Sequence, residues 1–200
     1  STPEMLRQVL SLRPAGVVLD ITSIKTPLVK ALRAGAADGM KVCSMHPMFG
    51  PDTSSIIDRN VIICRCGSAE ATELARSLID GSNVIEMEVE EHDPLMAYVL
   101  GLGHAVNIAF FEALRRSGRP FMELDRAAST TFRRQVDSAR NVAEENAQLY
   151  YEIQHLNPFN KDALEHLQRA VDDLMEAALK DDREAFERMM REGREYFGGR

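Results

Sequence analysis

The chain has 200 residues, 44% of them hydrophobic, and it carries 24 Lys and Arg against 31 Asp and Glu, a net charge of −7. This acidic balance argues against a nucleic-acid partner, because phosphate binding needs clustered cationic side chains. No apolar run approaches the roughly 20 residues of a membrane span, and the first residues do not resemble a secretory signal. We therefore expect no nucleic-acid partner and no membrane, and one large domain or two small ones.

The three cysteines are Cys43, Cys64 and Cys66. An odd number, with two of them inside a predicted strand at 60–66, favours reduced core thiols of a cytoplasmic protein over a disulfide framework. Alternate residues of a strand share one face, so Cys64 and Cys66 are interpreted as buried neighbours and no metal site is predicted.

The first ninety residues alternate between helical and strand patterns. Helices are predicted at 2–13, 27–34 and 69–79, short apolar strands at 17–21, 41–45 and 60–66, and an edge strand at 84–89. Short runs that are apolar throughout suit strands buried on both faces, as in parallel sheets. The βαβ rhythm is typical of half of an open α/β sheet.

From Glu91 onward the pattern is helical. A long helix at 93–116 has little charge between Met96 and Phe111, which predicts burial nearly all round. Charged, amphipathic helices follow at 125–139, 143–155 and 162–196, the last with a break at Asp181-Asp182. The predicted fold is α/β followed by all-α. Residues 1–90 are interpreted as a partial dinucleotide-binding domain, and residues 91–200 as a helical domain that binds substrate and dimerises.

The sequence contains no G-x-G-x-x-G, the usual phosphate-binding loop of a dinucleotide-binding fold. Gly101-Leu102-Gly103 lies within the apolar helix and not after a strand, so it is interpreted as a point of close approach by another element. The simplest explanation is that the first βαβ units of such a fold are not included in the chain.

Two polar clusters follow predicted strands, where open α/β sheets bind their ligands. In Asp20-Ile21-Thr22-Ser23-Ile24-Lys25, Ser23 either bonds a ligand hydroxyl or, like Thr22, caps the next helix. His46 ends another strand and precedes a Pro/Gly loop, which suits either proton exchange near neutral pH or a structural role.

Other candidates lie in the helical half. His104 on the apolar helix needs a fixed hydrogen bond or a polar cavity, and it is either a core or an active-site residue. His92 is interpreted as a helix-start residue, and His155 and His166 are given no role. Four arginines are candidates for binding a carboxylate through paired N–H groups: Arg126, Arg133, Arg134 and Arg140.

Three motifs in order carry a family resemblance: Asp-x-x-Ser-x-Lys at 20–25, His-Pro-Met-Phe-Gly-Pro at 46–51, and Glu91-His92-Asp93 followed by His104. Together they resemble the prephenate dehydrogenase family along essentially the whole chain. The resemblance implies a Rossmann-type domain, then an all-helical domain that forms a homodimer. It also implies prephenate in the cleft between them, hydride transfer to NAD or NADP, and loss of carbon dioxide to give 4-hydroxyphenylpyruvate.

The resemblance also implies roles for residues. His46 corresponds to the histidine that bonds the C4 hydroxyl and draws off its proton, Ser23 orients it, and His104 lines the cavity near the pyruvyl group. Arg140 is the nearest match to an arginine that binds a substrate carboxylate, although it lies one residue out of register, and Arg133 is the alternative. Ser1, Thr2 and Pro3 resemble a loop beside the nicotinamide ribose, so with Ser23 they are the predicted cofactor residues.

Without a glycine-rich turn the pyrophosphate has no cradle, so these 200 residues are expected to bind dinucleotide poorly and to be inactive alone. The alternatives are an arogenate dehydrogenase, a non-catalytic dimerisation or tyrosine-sensing module, and another two-domain hydroxy-acid dehydrogenase. Relatives of the last kind use a lysine on the long helix, which here offers His104 and no lysine.

Overall fold

The computed structural model describes residues 2–50 and 53–199 and falls into two units, Ser1–Asn160 and Lys161–Arg200. The elements of the first unit are α1 (Thr2–Ser11), β1 (Val18–Asp20), α2 (Thr26–Ala37), β2 (Val42–Pro47), β3 (Asn60–Arg65), α3 (Ala69–Ser77), β4 (Asn83–Glu88), α4 (Val89–Met96), a π-helical segment (Ala97–Leu102), α5 (Gly103–Arg116), α6 (Phe121–Arg126), α7 (Thr130–Glu144) and α8 (Ala147–Leu156). Helices α9 (Asn160–Leu179) and α10 (Arg183–Tyr196) account for the rest. The predicted order, α/β and then all-α, is confirmed.

The four strands form one mixed sheet in the order β1-β2-β3-β4. Strand β1 pairs parallel with β2, β2 antiparallel with β3, and β3 parallel with β4. The antiparallel step departs from the predicted βαβ rhythm. Its physical reason is that the described residues between β2 and β3 form no helix, and an antiparallel neighbour needs no crossover helix.

Strand side chains alternate between two apolar clusters. Val42, Ile62 and Cys64 pack with α1, α2 and α4 on one face of the sheet. Cys43 and Met45 pack with α3 on the other face. The prediction that Cys64 and Cys66 share a buried face is confirmed, since both lie in the first cluster, and burial raises the pKa of each thiol to about 12.

Helix α4, the π-helical segment and α5 join into one continuous helix, Val89–Arg116. The prediction that it is buried nearly all round is wrong: Leu95, Tyr98 and Val99 are close to half exposed, and α5 has no fully buried residue. The reason is that α7 covers only one side of α5, with Phe132 packed on Phe110. By length and apolar composition alone this helix could cross a membrane, a criterion that core helices of globular proteins also meet.

The second unit consists of two helices with apolar residues at helical spacing. The break predicted at Asp181-Asp182 is confirmed: Asp181 has a left-handed backbone, and the Asp182 carboxylate caps α10 by accepting the N–H of Ala185 at 3.0 Å. Several large apolar side chains of both helices are exposed: Leu164, Val171, Leu174, Met175, Leu179, Phe186 and Met190.

The core position Leu32 gives a direct stability test, because its side chain is fully buried between α2 and the sheet. We expect Leu32→Ala to lower the free energy of unfolding by about 2–5 kcal/mol, through lost burial and a residual cavity. The matched control Leu12→Ala removes a side chain that is 81% exposed, and it should change the free energy of unfolding by less than about 0.5 kcal/mol. Urea denaturation followed by circular dichroism measures both, and equal effects would contradict this packing.

Candidate active site

The carboxyl ends of β1 and β2 meet at one edge of the sheet because the two strands are parallel. Asp20 ends β1 and pairs in register with Ser44, and His46 lies two residues further along β2. In β2 the side chains of Val42, Ser44 and His46 point to the same face, since strand residues alternate. The two clusters singled out in the sequence therefore lie together.

A buried ion pair fixes the loop after β1. The Lys25 ammonium is fully buried and donates to the Asp20 carboxylate at 2.9 Å and to the carbonyl oxygens of Thr22 and Met45 at 2.6 and 2.7 Å. The Ser44 hydroxyl donates to the same carboxylate at 2.7 Å. Every proton of the ammonium thus has an acceptor, which a buried charge requires.

The N-terminus of helix α2 is capped by a side chain that is distant in the sequence. The Asp93 carboxylate, from α4, accepts the backbone N–H of Lys25 at 2.9 Å and of Thr26 at 2.6 Å. The interpretation that Thr22 or Ser23 caps this helix is wrong: the Thr22 hydroxyl bonds Asp20, and no side-chain cap is formed within the loop. A carboxylate at a helix N-terminus is stabilised by the unpaired N–H groups and the helix dipole.

The same carboxylate begins a chain of buried side chains that ends at His46. Asp93 Oδ1 lies 2.6 Å from His92 Nδ1, and His92 Nε2 lies 2.9 Å from His46 Nδ1. The rings of the two histidines are tilted by 55° with centroids 5.0 Å apart. All three side chains are nearly inaccessible to solvent.

The direction of the hydrogen bonds follows from their chemistry. An ionised carboxylate only accepts, so His92 carries its proton on Nδ1, and the Nε2 of a neutral His92 ring must then accept. His46 therefore donates from Nδ1, and its Nε2 is left with a free lone pair. The arrangement thus leaves one ring nitrogen of His46 unprotonated at this edge of the sheet.

The pKa values support these charge states. Burial, followed by the neighbouring His92 and Lys25, lowers the pKa of His46 to about 3, and burial also lowers the pKa of His92, so both rings are neutral at pH 7. Burial alone would raise the pKa of Asp93, but hydrogen bonds from the His92 ring and from Thr26 hold it below its usual range. Asp93 is thus a carboxylate beside two neutral imidazoles.

A cavity of about 440 Å³ opens beside the loop after β1 and is lined by Thr2, Pro3, Ser23, Ile153 and Leu156, among others. Three of the four residues predicted to bind cofactor are thereby brought together, whereas Ser1 lies outside the described residues. Hydroxyl and apolar groups at the carboxyl end of a strand suit the nicotinamide-ribose half of a dinucleotide. The 200 residues hold no glycine-rich loop for its pyrophosphate.

Ser23 lines this cavity, and in the described part of the chain the partner of the His46 ring is His92. The role of Ser23 in orienting His46 stays a prediction.

His104 is half-buried on α5 with its ring centroid 4.3 Å from that of Tyr150. Its Nδ1 is buried and has no hydrogen-bond partner among the described residues, and burial lowers its pKa. A buried polar atom left unpaired is unusual and indicates a position for a ligand or water.

The two arginines are held elsewhere on α7. The Arg140 guanidinium lies over the Phe121 ring, 5.6 Å from its centroid, in a separate apolar cavity of about 550 Å³. Arg133 bonds the carbonyl oxygen of Asp125 at 3.5 Å. Neither contact involves the histidines, so the choice between Arg140 and Arg133 as carboxylate ligand stays a prediction.

Comparison with known protein families shows to which family the chain belongs. The model of the prephenate dehydrogenase nucleotide-binding domain matches residues 1–79, and that of the prephenate dehydrogenase dimerization domain matches residues 88–192. The chain belongs to the prephenate dehydrogenase family. The second match covers more than half of the chain and includes the helix with His92, Asp93 and His104.

Relatives in this family are named for several substrates. A Methanocaldococcus jannaschii protein named "Probable arogenate/prephenate dehydrogenase" is 30% identical over 93% of this chain and 43% of its own length. The 4-amino-4-deoxyprephenate dehydrogenase of Streptomyces pristinaespiralis is 27% identical over 94% of this chain and 63% of its own length. The chain thus spans less than two thirds of these relatives.

Solved structures share the fold. Prephenate dehydrogenase from A. aeolicus, crystallised with hydroxyphenyl propionate and NAD+, aligns with a TM-score of 0.75 at 19% identity, covering 98% of this chain and 72% of that one. Synechocystis arogenate dehydrogenase aligns with a TM-score of 0.70 at 18% identity, covering 94% and 71%.

Sequence reasoning used Glu91-His92-Asp93 as a family motif but gave neither His92 nor Asp93 a place in the candidate site, since His92 was interpreted as a helix-start residue. Their spacing from Met96 and Ala97 could have predicted that both side chains lie on the buried face of the helix. Residues at i, i+3 and i+4 share a face, and the last two are apolar.

Substituting Asp93 tests the shared carboxylate. We expect Asp93→Asn to lower the free energy of unfolding by about 2–4 kcal/mol, because it removes a charged acceptor from buried N–H groups. Asp38→Asn, which alters only an exposed ion pair with Arg13 at 3.7 Å, should cost less than about 1 kcal/mol. Urea denaturation at pH 7 compares them, and a small loss for Asp93→Asn would contradict the capping role.

The buried neutral histidines predict a pH dependence. In the unfolded chain His46 binds a proton near pH 6.5, whereas in the folded chain it does so only near 3, so protons favour unfolding. The stability that it contributes is complete above pH 6.5 and is lost as the pH falls toward 3, at up to about 1.4 kcal/mol per pH unit. Urea denaturation between pH 6.5 and 5, where carboxylates remain ionised, should show this slope and a smaller one in His46→Asn. A flat wild-type profile would contradict the burial of neutral His46.

Proposed function

We propose that the protein carrying this chain oxidatively decarboxylates prephenate to 4-hydroxyphenylpyruvate with hydride transfer to NAD or NADP, a step in tyrosine biosynthesis. The observation that carries the proposal is the buried series Asp93–His92–His46, which leaves His46 Nε2 as a proton acceptor at the sheet edge.

His46 acts as the general base. A bound nicotinamide ring supplies the hydride acceptor. As the hydride leaves C4 of the substrate, the C4 hydroxyl becomes strongly acidic, so even an imidazole with a pKa of about 3 takes its proton at that stage. The positive charge then formed on His46 is stabilised through His92 by the Asp93 carboxylate, as in a catalytic triad.

Decarboxylation completes the reaction. The bond from the ring to its carboxylate breaks and carbon dioxide leaves. The electron pair moves through the ring to the C4 oxygen, and that oxygen takes back the proton held by His46. The ring becomes aromatic, and one hydride is transferred overall.

The remaining substrate contacts are proposed from the resemblance. His104 faces the pyruvyl side chain and Arg140, or alternatively Arg133, binds a carboxylate. The free Nδ1 of His104 supports its part in this proposal. Thr2, Pro3 and Ser23, with Ser1, contact the nicotinamide ribose, which the cavity shared by the first three supports.

We also propose a homodimer through the helical domain, located in the cytoplasm. The exposed apolar side chains of α9 and the half-exposed helix of Tyr98 and Val99 support a dimer, since such faces are normally covered. The three free, buried cysteines support a reducing compartment.

A second candidate is arogenate as substrate, in which an amino group replaces the keto oxygen of the side chain. The name of the Methanocaldococcus jannaschii relative includes both arogenate and prephenate, which supports arogenate as the second candidate substrate. Activity on the two substrates compared side by side distinguishes them. A non-catalytic, tyrosine-binding dimer is the outcome if neither compound is turned over.

The assay uses the full-length protein that contains these residues and follows NADH or NADPH formation with prephenate. We expect His46→Asn to lower kcat about 10²–10⁴-fold while substrate binding survives, because only the proton acceptor is lost. His155→Asn, an exposed residue of α8 stacked on Tyr151, is the matched control and should keep wild-type activity. Full activity in His46→Asn would contradict the proposal, and turnover by the 200 residues alone would contradict the need for a glycine-rich loop.

A further inference from the structure

The helix that carries His92 and His104 is interrupted between them by the π-helical segment Ala97–Leu102. Such segments close their hydrogen bonds from residue i to i+5, are rare, and occur often at functional sites. Its position therefore calls for an explanation in terms of the two histidines.

The segment changes which side of the helix His104 occupies. An α-helix turns about 100° per residue, so two residues twelve apart differ by about 120° in direction. A π turn contains about one more residue than an α turn, which removes about one 100° step. The directions of the same two residues then differ by only about 20°. His92 and His104 thus lie on the same side of the helix, about three turns apart.

Two side chains contact the segment at Gly101, those of Gln154 on α8 and of Asn160, the first residue of α9. The Gln154 side chain donates from Nε2 to the Gly101 carbonyl oxygen at 2.8 Å. The Asn160 side chain is buried, with its Nδ2 donating to the carbonyl of Ile153 at 2.7 Å and its Oδ1 against Gly101. A Cβ at position 101 would collide with the end of the Asn160 side chain, so this approach holds only while residue 101 is glycine or Asn160 moves.

We infer that Gln154 is a positioning residue: by bonding Gly101 it keeps the π turn that places His104 on the side of the helix that carries His92. The unpaired, buried Nδ1 of His104 is then available to a polar group of the ligand. The inference rests on the proposed function, since it takes the ligand to be a ring compound with an acidic side chain.

The test uses the 22.4 kDa chain labelled with ¹⁵N-histidine and Gln154→Leu, with Gln148→Leu as control. Gln148 lies on the same helix but bonds only the exposed Glu152, at 2.8 Å. The probe is hydroxyphenyl propionate, followed by histidine ring resonances and by calorimetry. We expect Gln154→Leu to shift the His104 resonances, leave those of His46 in place, and weaken probe binding about tenfold, since a buried carbonyl loses its donor.

Gly101→Ala is the second variant, and it should move the same His104 resonances by displacing Asn160.

In the full-length enzyme Gln154→Leu should raise KM about tenfold, since the lost bond affects binding, and change kcat little, because His46 is untouched. Unchanged His104 resonances in both variants, or equal weakening by Gln148→Leu, would overturn the inference. A wild-type chain that binds no probe counts against the proposed function, and the His104 resonances alone then decide the positioning role.

Discussion

The rest of the first unit depends on the hydrogen bonds that the buried Asp93 carboxylate accepts. It accepts the first N–H groups of α2, so the loop after β1 must end where α4 begins. It also accepts from His92, which fixes the ring against His46. One buried charge thereby joins the helical half to the sheet and sets the protonation of both histidines. Without it, the first N–H groups of α2 and the Nδ1 of His92 would lose this buried acceptor, an unfavourable state.

The groups around it are buried in two different arrangements. Asp20 and Lys25 form an ion pair in which every polar atom is bonded. Burial lowers the pKa of His46 and of His92, so both rings are neutral at pH 7. A neutral His46 bonded through His92 to the Asp93 carboxylate is the arrangement that the proposed proton transfer to His46 requires.

Sequence patterns predicted the local elements and the position of His46, because strand ends and Pro/Gly loops have local signals. They also identified Gly101 as a point of close approach, which Asn160 confirms. They did not predict the antiparallel step from β2 to β3, or the bond between His46 and His92, whose partners lie 46 residues apart. The π turn also has no pattern of its own, since it depends on Gln154 of a distant helix.

The most direct measurement is the protonation of the His46 ring, read from its nitrogen chemical shifts at pH 7 in the unliganded chain. A proton on Nδ1 and a free Nε2 are expected if Asp93 sets the direction of the hydrogen bonds through His92. A proton on Nε2, or a doubly protonated ring, would contradict the account, because His46 would then have no lone pair to offer the substrate.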